Sequence, residues 1–437
     1  MPPAPYTAYK NIQRLPPAHS VIIRHDLAIH PRSYWQPQPG SLLTDPRDCI
    51  TAIRETLGNV TRRMLIGDVR VAATLSGGID SSAVAAMASQ HQAGLRSFCV
   101  SHRSGNNAGE FAAARKVADH IRSDHTELQI EPVDLMRLPQ VVRAFCEPVF
   151  SSVPLHAYNL AQSISQHARV ALTGNGADEL FGGYADHRLW LAKDRRRLQW
   201  QALEKRGLAH WIGRLPLPFV RQSYQSCCLA PEQRMSQARL HPISEFAALI
   251  YSGPMQRSLP PDIQFEIYES ASRQWPAESY SSRLITQLLL QGSQYAMVQI
   301  PDITGMAHAL EYRSPFLDRD MIELALRIPA SLKIDDRKGD AGGKQILRQS
   351  MQGILPDSIL QMNKLGFGAT IPYQKWARGA AGSYMRERLD HPALHDCGLF
   401  QVDTILKMFD GFVQGQWAHF EMLFGLVALS IWLEECL

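Results

Sequence analysis

The sequence lacks the features of a membrane or secreted protein. Its most apolar segment, residues 420–437, is shorter than a membrane span and carries Glu421 near its start. The first ten residues, MPPAPYTAYK, contain no positively charged segment followed by an apolar core, so we expect no signal peptide. We therefore expect residues 420–437 to form a buried helix and the protein to make no membrane contact.

Cysteine is scarce, and no charge sign dominates. The seven cysteines of the 437-residue chain are scattered, odd in number and without metal-ligand spacing, which is typical of reduced thiols in a cytoplasmic protein. The formal net charge of +4 is too small to indicate a nucleic-acid partner. We interpret the densest basic run, residues 193–197, as the solvated face of a helix.

What the sequence contains is an alternation of strand and helix patterns. Residues 1–40 are rich in proline, and short apolar pieces such as residues 21–23 suggest hairpin-like strands. Strand patterns cover residues 69–75, 97–102 and 169–174, and helix patterns cover residues 48–64, 82–89, 110–121 and 156–166. This order predicts an α/β fold with a parallel sheet and helices on both faces, followed by a mostly helical part from about residue 185.

A glycine-rich turn joins the strand at 69–75 to the helix that follows it. Residues 76–82 read SGGIDSS, and such a turn points backbone N–H groups and the positive end of a helix dipole toward a phosphate. The turn is not a Walker loop, because no Gly-Lys-Ser/Thr follows at the required distance. Asp80 would hold magnesium against the phosphates, and the serines would add hydroxyl donors. An ordinary tight turn in which Asp80 helps to cap the helix stays open on this motif alone.

A second glycine-rich loop, TGNGADELFGGY at residues 173–184, also follows a predicted strand. It carries Asp178 and Glu179. Two such loops at adjacent strand ends lie where an open α/β sheet binds its ligands. The pair predicts a magnesium-nucleotide site with Asp178 as a metal ligand, the alternative being an aspartate that stabilises the turn.

Five motifs in order carry a family resemblance. SGGIDSS resembles the pyrophosphate-binding loop of the ATP pyrophosphatases. With TGNGADELFGGY, HALEYRSPFLD (308–318), GKQILR (343–348) and NKLGFG (363–368), it is similar to the synthetase domain of asparagine synthetase and its relatives, which include β-lactam synthetases and lasso-peptide cyclases. The similarity runs over roughly residues 5–435, and it implies a sheet of the adenine nucleotide α-hydrolase type.

The resemblance implies ATP-dependent activation of a carboxylate as an acyl-adenylate, release of pyrophosphate and attack by an amine, with ATP and Mg²⁺ as cofactors. By motif position, Asp80 and Asp178 would bind magnesium and Lys344 would add a charge to the phosphates. Lys364 would neutralise charge that develops at the reacting acyl group, and Glu311 would orient or deprotonate the amine. The nucleotide would be bound by Ser76, Gly77, Gly78, Asp80, Ser81, Ser82, Gly174 and Lys344. Outside this motif order the two lysines would be ordinary surface residues and Glu311 would form a plain ion pair with Arg313. His125, which resembles the family's His-x-Glu strand start, is expected to be structural.

The chain departs from the common asparagine synthetase pattern in ways that concern the acceptor. Residues 1–40 resemble only the end of a glutaminase domain, so we take residues 41–437 as the synthetase domain and expect no glutamine hydrolysis. Asn175 stands where a glutamate is usual, Ile300 where a lysine is usual, and the aspartate that commonly follows Glu147-Pro148 is missing. These changes remove charge from the acceptor pocket.

We therefore expect an amide-bond synthetase with a specialised acceptor, such as macrolactam ring closure on a peptide, with ammonia-dependent asparagine formation as the alternative. A peptide substrate would require a partner protease or leader-peptide-binding protein. Modification of tRNA by an ATP pyrophosphatase and a pseudoenzyme scaffold are weaker hypotheses. The weak basic balance opposes the first, and the set of Asp80, Asp178, Lys344 and Lys364 opposes the second.

Overall fold

The computed structural model describes the chain in ten stretches. They are residues 4–25, 29–36, 40–102, 108–130, 132–205, 246–259, 294–362, 373, 377–417 and 419–436. Among the described residues, no helix is long and apolar enough to cross a membrane.

The strands and helices of the described residues are numbered in chain order. The strands are β1 (His19–Ser20), β2 (Arg32–Ser33), β3 (Val71–Thr74), β4 (Arg96–His102), β5 (Asp124–Ile130), β6 (Val170–Leu172) and β7 (Glu311–Arg313). The α-helices are α1 (Pro46–Met64), α2 (Ile79–Ser89), α3 (Ala108–Ile121), α4 (Leu138–Phe145), α5 (Val153–Ser165), α6 (Ala177–Phe181), α7 (Ala185–Lys205), α8 (Ala247–Ile250), α9 (Gly253–Ser258), α10 (Ile300–Met306), α11 (Arg319–Leu326), α12 (Ala330–Lys333), α13 (Gln345–Ser350), α14 (Asp357–Leu360), α15 (Ala380–Leu389), α16 (Pro392–Asp396), α17 (Val402–Val413) and α18 (Phe420–Cys436). Shorter 3₁₀ segments cover Pro132–Arg137, Pro315–Leu317 and Asp336–Gly342, and Gln294–Gln299 is a π-helix.

A parallel five-stranded sheet forms the centre of the fold, with the strand order β5-β4-β3-β6-β7. Ala73 of β3 pairs with Ser97 of β4 on one side and Leu172 of β6 on the other. The chain therefore builds outward from β3 in one direction and then returns to build in the other. This confirms the predicted α/β class, and it makes the gap between β3 and β6 the point where the strand order reverses.

Helices cover both faces of the sheet, as predicted. On one face α2 packs on β3, α1 packs on α2 and α3 packs on β4 and β5, and the alanine-rich residues 83–88 of α2 are fully or almost fully buried. Small side chains let α2 lie close to the strands, and this brings its first turn against the sheet edge. On the other face Phe98 and Ala171 pack against Ala161 and Ile164 of α5.

A second, helical core lies in the C-terminal part. The buried side chains of α4, α15, α17 and α18 form one apolar cluster, which includes Phe412, Phe424 and Trp432. The expected buried helix at 420–437 is thus confirmed as α18, Phe420–Cys436. It is apolar on all sides because neighbouring helices surround it.

The N-terminal segment packs on this helical core. The Tyr9 hydroxyl donates to the carbonyl oxygen of Cys146 at 2.7 Å, and Arg14 pairs with Glu147 at 2.8 Å. The expected hairpin exists, but its antiparallel pair joins β1 to β2 and not residues 21–23. Ile22 and Ile23 instead lie exposed after β1.

Candidate active site

The two predicted loops meet where the strand order reverses. The loop of residues 76–78 follows β3 and leads into α2, and the loop of residues 173–176 follows β6 and leads into α6. Parallel strands end at the same edge of the sheet, so both loops lie at its carboxyl edge, in the crevice where sheets of this kind bind ligands.

The first loop is held open by its own serines. The backbone N–H of Ser76 donates to Ser81 Oγ at 3.1 Å, and the two hydroxyl oxygens lie 3.0 Å apart. Gly77 has φ +77°, and a Cβ there would lie 2.6 Å from the Cβ of Ala113, so glycine is required. Among the described residues, no side chain caps the first turn of α2 at Gly78. Backbone donors of that turn are thus directed at the crevice.

The serines of the loop differ in accessibility. Ser76 is exposed, Ser81 is 7% exposed and Ser82 is fully buried. Within the described part of the chain, Ser82 Oγ has no hydrogen-bond partner. A buried hydroxyl in that position needs an acceptor, but at 0% exposure it does not open to the crevice, so the phosphate contact of Ser82 stays a prediction.

The second loop touches the first through a glycine. A Cβ on Gly174 would lie 2.5 Å from the backbone nitrogen of Ser81 and 2.7 Å from the carbonyl carbon of Asp80. Only glycine lets the two loops approach this closely, because the opposing atoms are backbone and cannot rotate away. The contact brings the turn after β6 against the start of α2 and therefore Asp178 toward Asp80.

Lys344 joins the two loops. Its Nζ lies 2.5 Å from Asp80 Oδ2 and 2.7 Å from Asp178 Oδ1. Its side chain is 5% exposed, whereas those of the two aspartates are about one fifth exposed. Burial opposes the charge on the ammonium group, but the two carboxylates outweigh it and raise the pKa of Lys344. Three residues predicted from separate motifs are thus brought together in one buried ion cluster.

The backbone conformation at Lys344 directs its side chain into this cluster. Lys344 has φ +58°, an uncommon conformation for a residue with a side chain, and its N–H donates to the carbonyl oxygen of Phe181 at 3.2 Å. Gly183 lies alongside, and a Cβ there would overlap Asp178 Oδ1 and Lys344 Cε. The glycines of both motifs therefore form the slot through which the lysine reaches the carboxylates.

Glu179 forms a second buried acidic position next to Asp178. It is 1% exposed, and Tyr184 donates a hydrogen bond to its Oε1 at 2.5 Å. Burial raises the pKa of Glu179, while the bond from Tyr184 opposes that rise. The tyrosine that ends the TGNGADELFGGY motif thus holds the carboxylate that follows Asp178.

The residues present fit a magnesium ion that is shared with a nucleotide. Asp80 and Asp178 each place an oxygen within 2.7 Å of the same cationic nitrogen, so both can address one cation. Within the described ranges no three histidine, cysteine or acidic residues form a metal cage. Magnesium in nucleotide enzymes is typically held by one or two carboxylates together with the phosphates, which agrees with this donor set.

Arg348 is a site residue that the motif analysis did not assign. Its Nε donates to the carbonyl oxygen of Gly343 at 3.1 Å, and its Nη1 donates to that of Leu360 at 2.5 Å. It therefore ties the turn that carries Lys344 to α14, a few residues before position 364. The sequence signal that could have identified Arg348 is its position as the last residue of the GKQILR motif.

A second unassigned network joins the start of α5 to the start of α18. The Ser152 hydroxyl donates to Glu421 at 2.6 Å and lies 2.9 Å from the Tyr373 hydroxyl, and the Ser152 N–H donates to Glu421 at 2.7 Å. Tyr373 stacks on Phe420 at a ring distance of 4.0 Å. This network fixes Tyr373, which follows the NKLGFG motif by a few residues.

Of the two remaining predicted residues, the structure describes only Glu311. Lys364 falls outside the described residues. Glu311 begins β7, opposite Val170, where its half-exposed side chain accepts a hydrogen bond from Arg313 Nε at 2.7 Å. The predicted acceptor-site role of Glu311 and the predicted role of Lys364 stay predictions.

His125 occupies a position that suits the structural role expected for it. Its Nδ1 lies 2.8 Å from the Ser97 hydroxyl oxygen across the β4 and β5 pair. Burial lowers the pKa of its imidazole, with Arg115 contributing.

A parallel sheet of this strand order, with two glycine-rich loops and a carboxylate pair at its switch point, defines an α/β protein of the nucleotide-binding type. Comparison with known proteins gives the family. The family model described as asparagine synthase matches residues 52–434, so the chain belongs to the asparagine synthase family.

Several curated relatives have similar sequences. A putative asparagine synthetase (glutamine-hydrolyzing) of Mycobacterium tuberculosis is 29% identical over 98% of this chain and 65% of its own length. Asparagine synthetase (glutamine-hydrolyzing) 1 of Bacillus subtilis is 26% identical over 88% of this chain and 59% of its own length. Amidase chry2 of Gibberella zeae is 24% identical over 93% of this chain and 65% of its own length. The chain thus spans about six tenths of the length of these relatives.

Proposed function

We propose that the chain is an ATP-dependent, AMP- and pyrophosphate-forming amide-bond synthetase. In this reaction a carboxylate oxygen attacks the α-phosphorus of ATP, the bond to the β-phosphate breaks and pyrophosphate leaves. An amine then attacks the acyl carbon, AMP leaves and the nitrogen loses a proton. Membership of the asparagine synthase family supports this class of reaction.

The observation that carries the proposal is the cluster at the switch point of the sheet. Asp80, Asp178 and Lys344 come from three motifs far apart in sequence, and both carboxylates lie within hydrogen-bond distance of the lysine. They lie beside the uncapped start of α2, where a polyphosphate would meet backbone donors. A plain structural ion pair would not require two glycine loops to converge on it.

Each group has a defined part in this proposal. The residues 76–82 bind pyrophosphate, and Asp80 and Asp178 hold magnesium, which when bound neutralises phosphate charge. Lys344 contributes a further positive charge to the phosphates. By family resemblance, Lys364 stabilises the charge at the reacting acyl group, and Glu311 orients the incoming amine. For Glu311 to do so it must leave its bond to Arg313.

We propose a specialised amine acceptor, as in macrolactam closure on a peptide. The loss of charge at Asn175 supports this reading. Ile300 is 2% exposed and belongs to the apolar cluster of the C-terminal part, so the absence of the usual lysine there fits the packing of that cluster. A lysine there would have to bury its charge. Such a substrate would be delivered by a protease or a leader-peptide-binding partner.

Ammonia-dependent conversion of aspartate to asparagine is the second candidate. Several curated relatives are named asparagine synthetases, which favours it. In both versions we take residues 41–437 as the synthetase domain. Residues 1–40 resemble the end of a glutaminase domain.

The test is pyrophosphate release from Mg-ATP by the purified protein. One arm contains aspartate and ammonia, and the other contains candidate peptide precursors. Asp80→Asn and Lys364→Ala should abolish release, whereas Lys407→Met, an exposed lysine on α17, should not. Release with a peptide, giving a product lighter by one water, supports cyclisation. Release with aspartate and ammonia supports asparagine formation, and no release in either arm contradicts the proposed class.

A further inference from the structure

We infer that Lys344 is a built-in counter-cation, which fills the position between Asp80 and Asp178 and admits a divalent cation only together with the nucleotide. This inference rests on the proposed function, because it takes the two aspartates as metal ligands. It adds an order of events: the lysine must leave the carboxylates for the phosphates before the metal can use those oxygens.

The contact geometry supports mutual exclusion. Lys344 Nζ lies 2.5 Å and 2.7 Å from one oxygen of each aspartate, which is direct contact between the ammonium group and both carboxylates. An ion bound to these same two oxygens would occupy the place of the ammonium group. Two cations at such a separation would also repel each other strongly, because the site is nearly closed to water on the lysine side.

The lysine is confined to this position by the fold. Its backbone is bonded to Phe181 in a left-handed conformation, and its side chain passes beside Gly183. With a side chain 5% exposed, Lys344 cannot swing into solvent without opening the slot. A ligand that enters the crevice can offer its ammonium group another anion.

A polyphosphate is such a ligand. It brings several anionic oxygens to the start of α2, within reach of the same lysine, and an ammonium group with three donors can exchange carboxylate for phosphate. Once the lysine is transferred, the two aspartates are available to a divalent cation. Nucleotide and metal should therefore bind cooperatively, each raising the affinity for the other by the same factor.

The test measures Mn²⁺ binding without any nucleotide, from the paramagnetic resonance signal of free Mn²⁺. The variants are Lys344→Met, which keeps an unbranched chain but removes the ammonium group, Lys344→Gln, and the matched surface control Lys407→Met. We expect Mn²⁺ to bind Lys344→Met at least about tenfold more tightly than the parent, since loss of one contact-distance positive charge exceeds the ~1.4 kcal/mol that corresponds to tenfold. Lys407→Met should match the parent, and adding Asp80→Asn to Lys344→Met should remove the gain.

Thermal unfolding gives a second readout that shows the variants are folded. Lys344→Met should melt below the parent because two carboxylates are left facing each other, and Mn²⁺ should restore part of that loss. Lys344→Gln covers the case in which the methionine variant does not fold. Equal Mn²⁺ affinity in parent and variants would overturn the inference, as would a gain that survives Asp80→Asn.

The two proposals can fail separately. Pyrophosphate release by the parent with no Mn²⁺ gain in the Lys344 variants would reject the counter-cation role and leave the synthetase in place. A Mn²⁺ gain in Lys344→Met without pyrophosphate release in any arm would support the counter-cation and contradict the proposed reaction.

Discussion

Gly174→Ala should disrupt the contact that brings the two glycine loops together. The added Cβ would lie 2.5 Å from Ser81 N and 2.7 Å from the carbonyl carbon of Asp80. Ordinary contacts lie near 3.5 Å, so the loops must separate by about 1 Å, and neither opposing atom can rotate aside. We expect the free energy of unfolding to fall by about 1–3 kcal/mol, the usual cost of overpacking.

The same displacement should weaken the chemistry more than the fold. A shift of about 1 Å between Asp80 and Asp178 is expected to lower kcat/KM for ATP by about a hundredfold. Urea denaturation and pyrophosphate release measure the two effects. Gly109→Ala is the matched control, because no described residue lies within 4 Å of its Cβ position on α3 and alanine favours a helix. If Gly174→Ala matched Gly109→Ala in both assays, the close approach of the loops would not matter.

Three further predictions concern buried polar groups. Burial lowers the pKa of Lys333 from 10.5 to about 7, so the folded state binds fewer protons above that pH. The free energy of unfolding, measured by urea denaturation, should therefore rise from about pH 7 toward pH 10, and Lys333→Met should flatten this rise. The same pH dependence in parent and variant would contradict the prediction. Tyr184→Phe removes the hydrogen-bond donor to buried Glu179 and should lower the free energy of unfolding by about 1–3 kcal/mol in urea denaturation. An unchanged urea midpoint would contradict this. Arg14→Met removes the ion pair to Glu147, whose side chain is 5% exposed, and should lower the free energy of unfolding by roughly 3 kcal/mol. It should also speed proteolysis of the N-terminal segment, and an unchanged cleavage rate would refute the prediction.

The alternation of strands and helices could be predicted because the local spacing of apolar residues indicates it. The strand expected at 69–75 is observed as β3, Val71–Thr74, and the helix expected at 110–121 is α3, Ala108–Ile121. The ends of this strand could not be predicted to the residue, since the apolar run at 69–75 extends beyond the paired residues of β3 on both sides. β7 was not predicted as a strand, because it has only three residues and pairs with β6 across 141 positions, as in Val170 with Glu311.

The candidate site was predictable as a set of residues but not as an arrangement. The motifs indicated Asp80, Asp178 and Lys344, yet no pattern showed that the lysine would bridge the two carboxylates across 264 positions. That contact depends on the packing of α2 and α6 and on the backbone of Lys344. Arg348 was missed for a similar reason. Its partners are backbone carbonyl oxygens, which every residue has, so the sequence does not indicate them.

The most direct test of the proposed chemistry follows the carboxylate oxygen. Aspartate with ammonia, and candidate peptides in parallel, would be supplied with heavy oxygen in the carboxylate, and the nucleotide product analysed by mass spectrometry. Adenylation transfers one carboxylate oxygen to phosphorus, so we predict AMP that carries one heavy oxygen. Asp80→Asn should form no AMP. Formation of ADP, or of AMP without the label, would contradict an acyl-adenylate at this site.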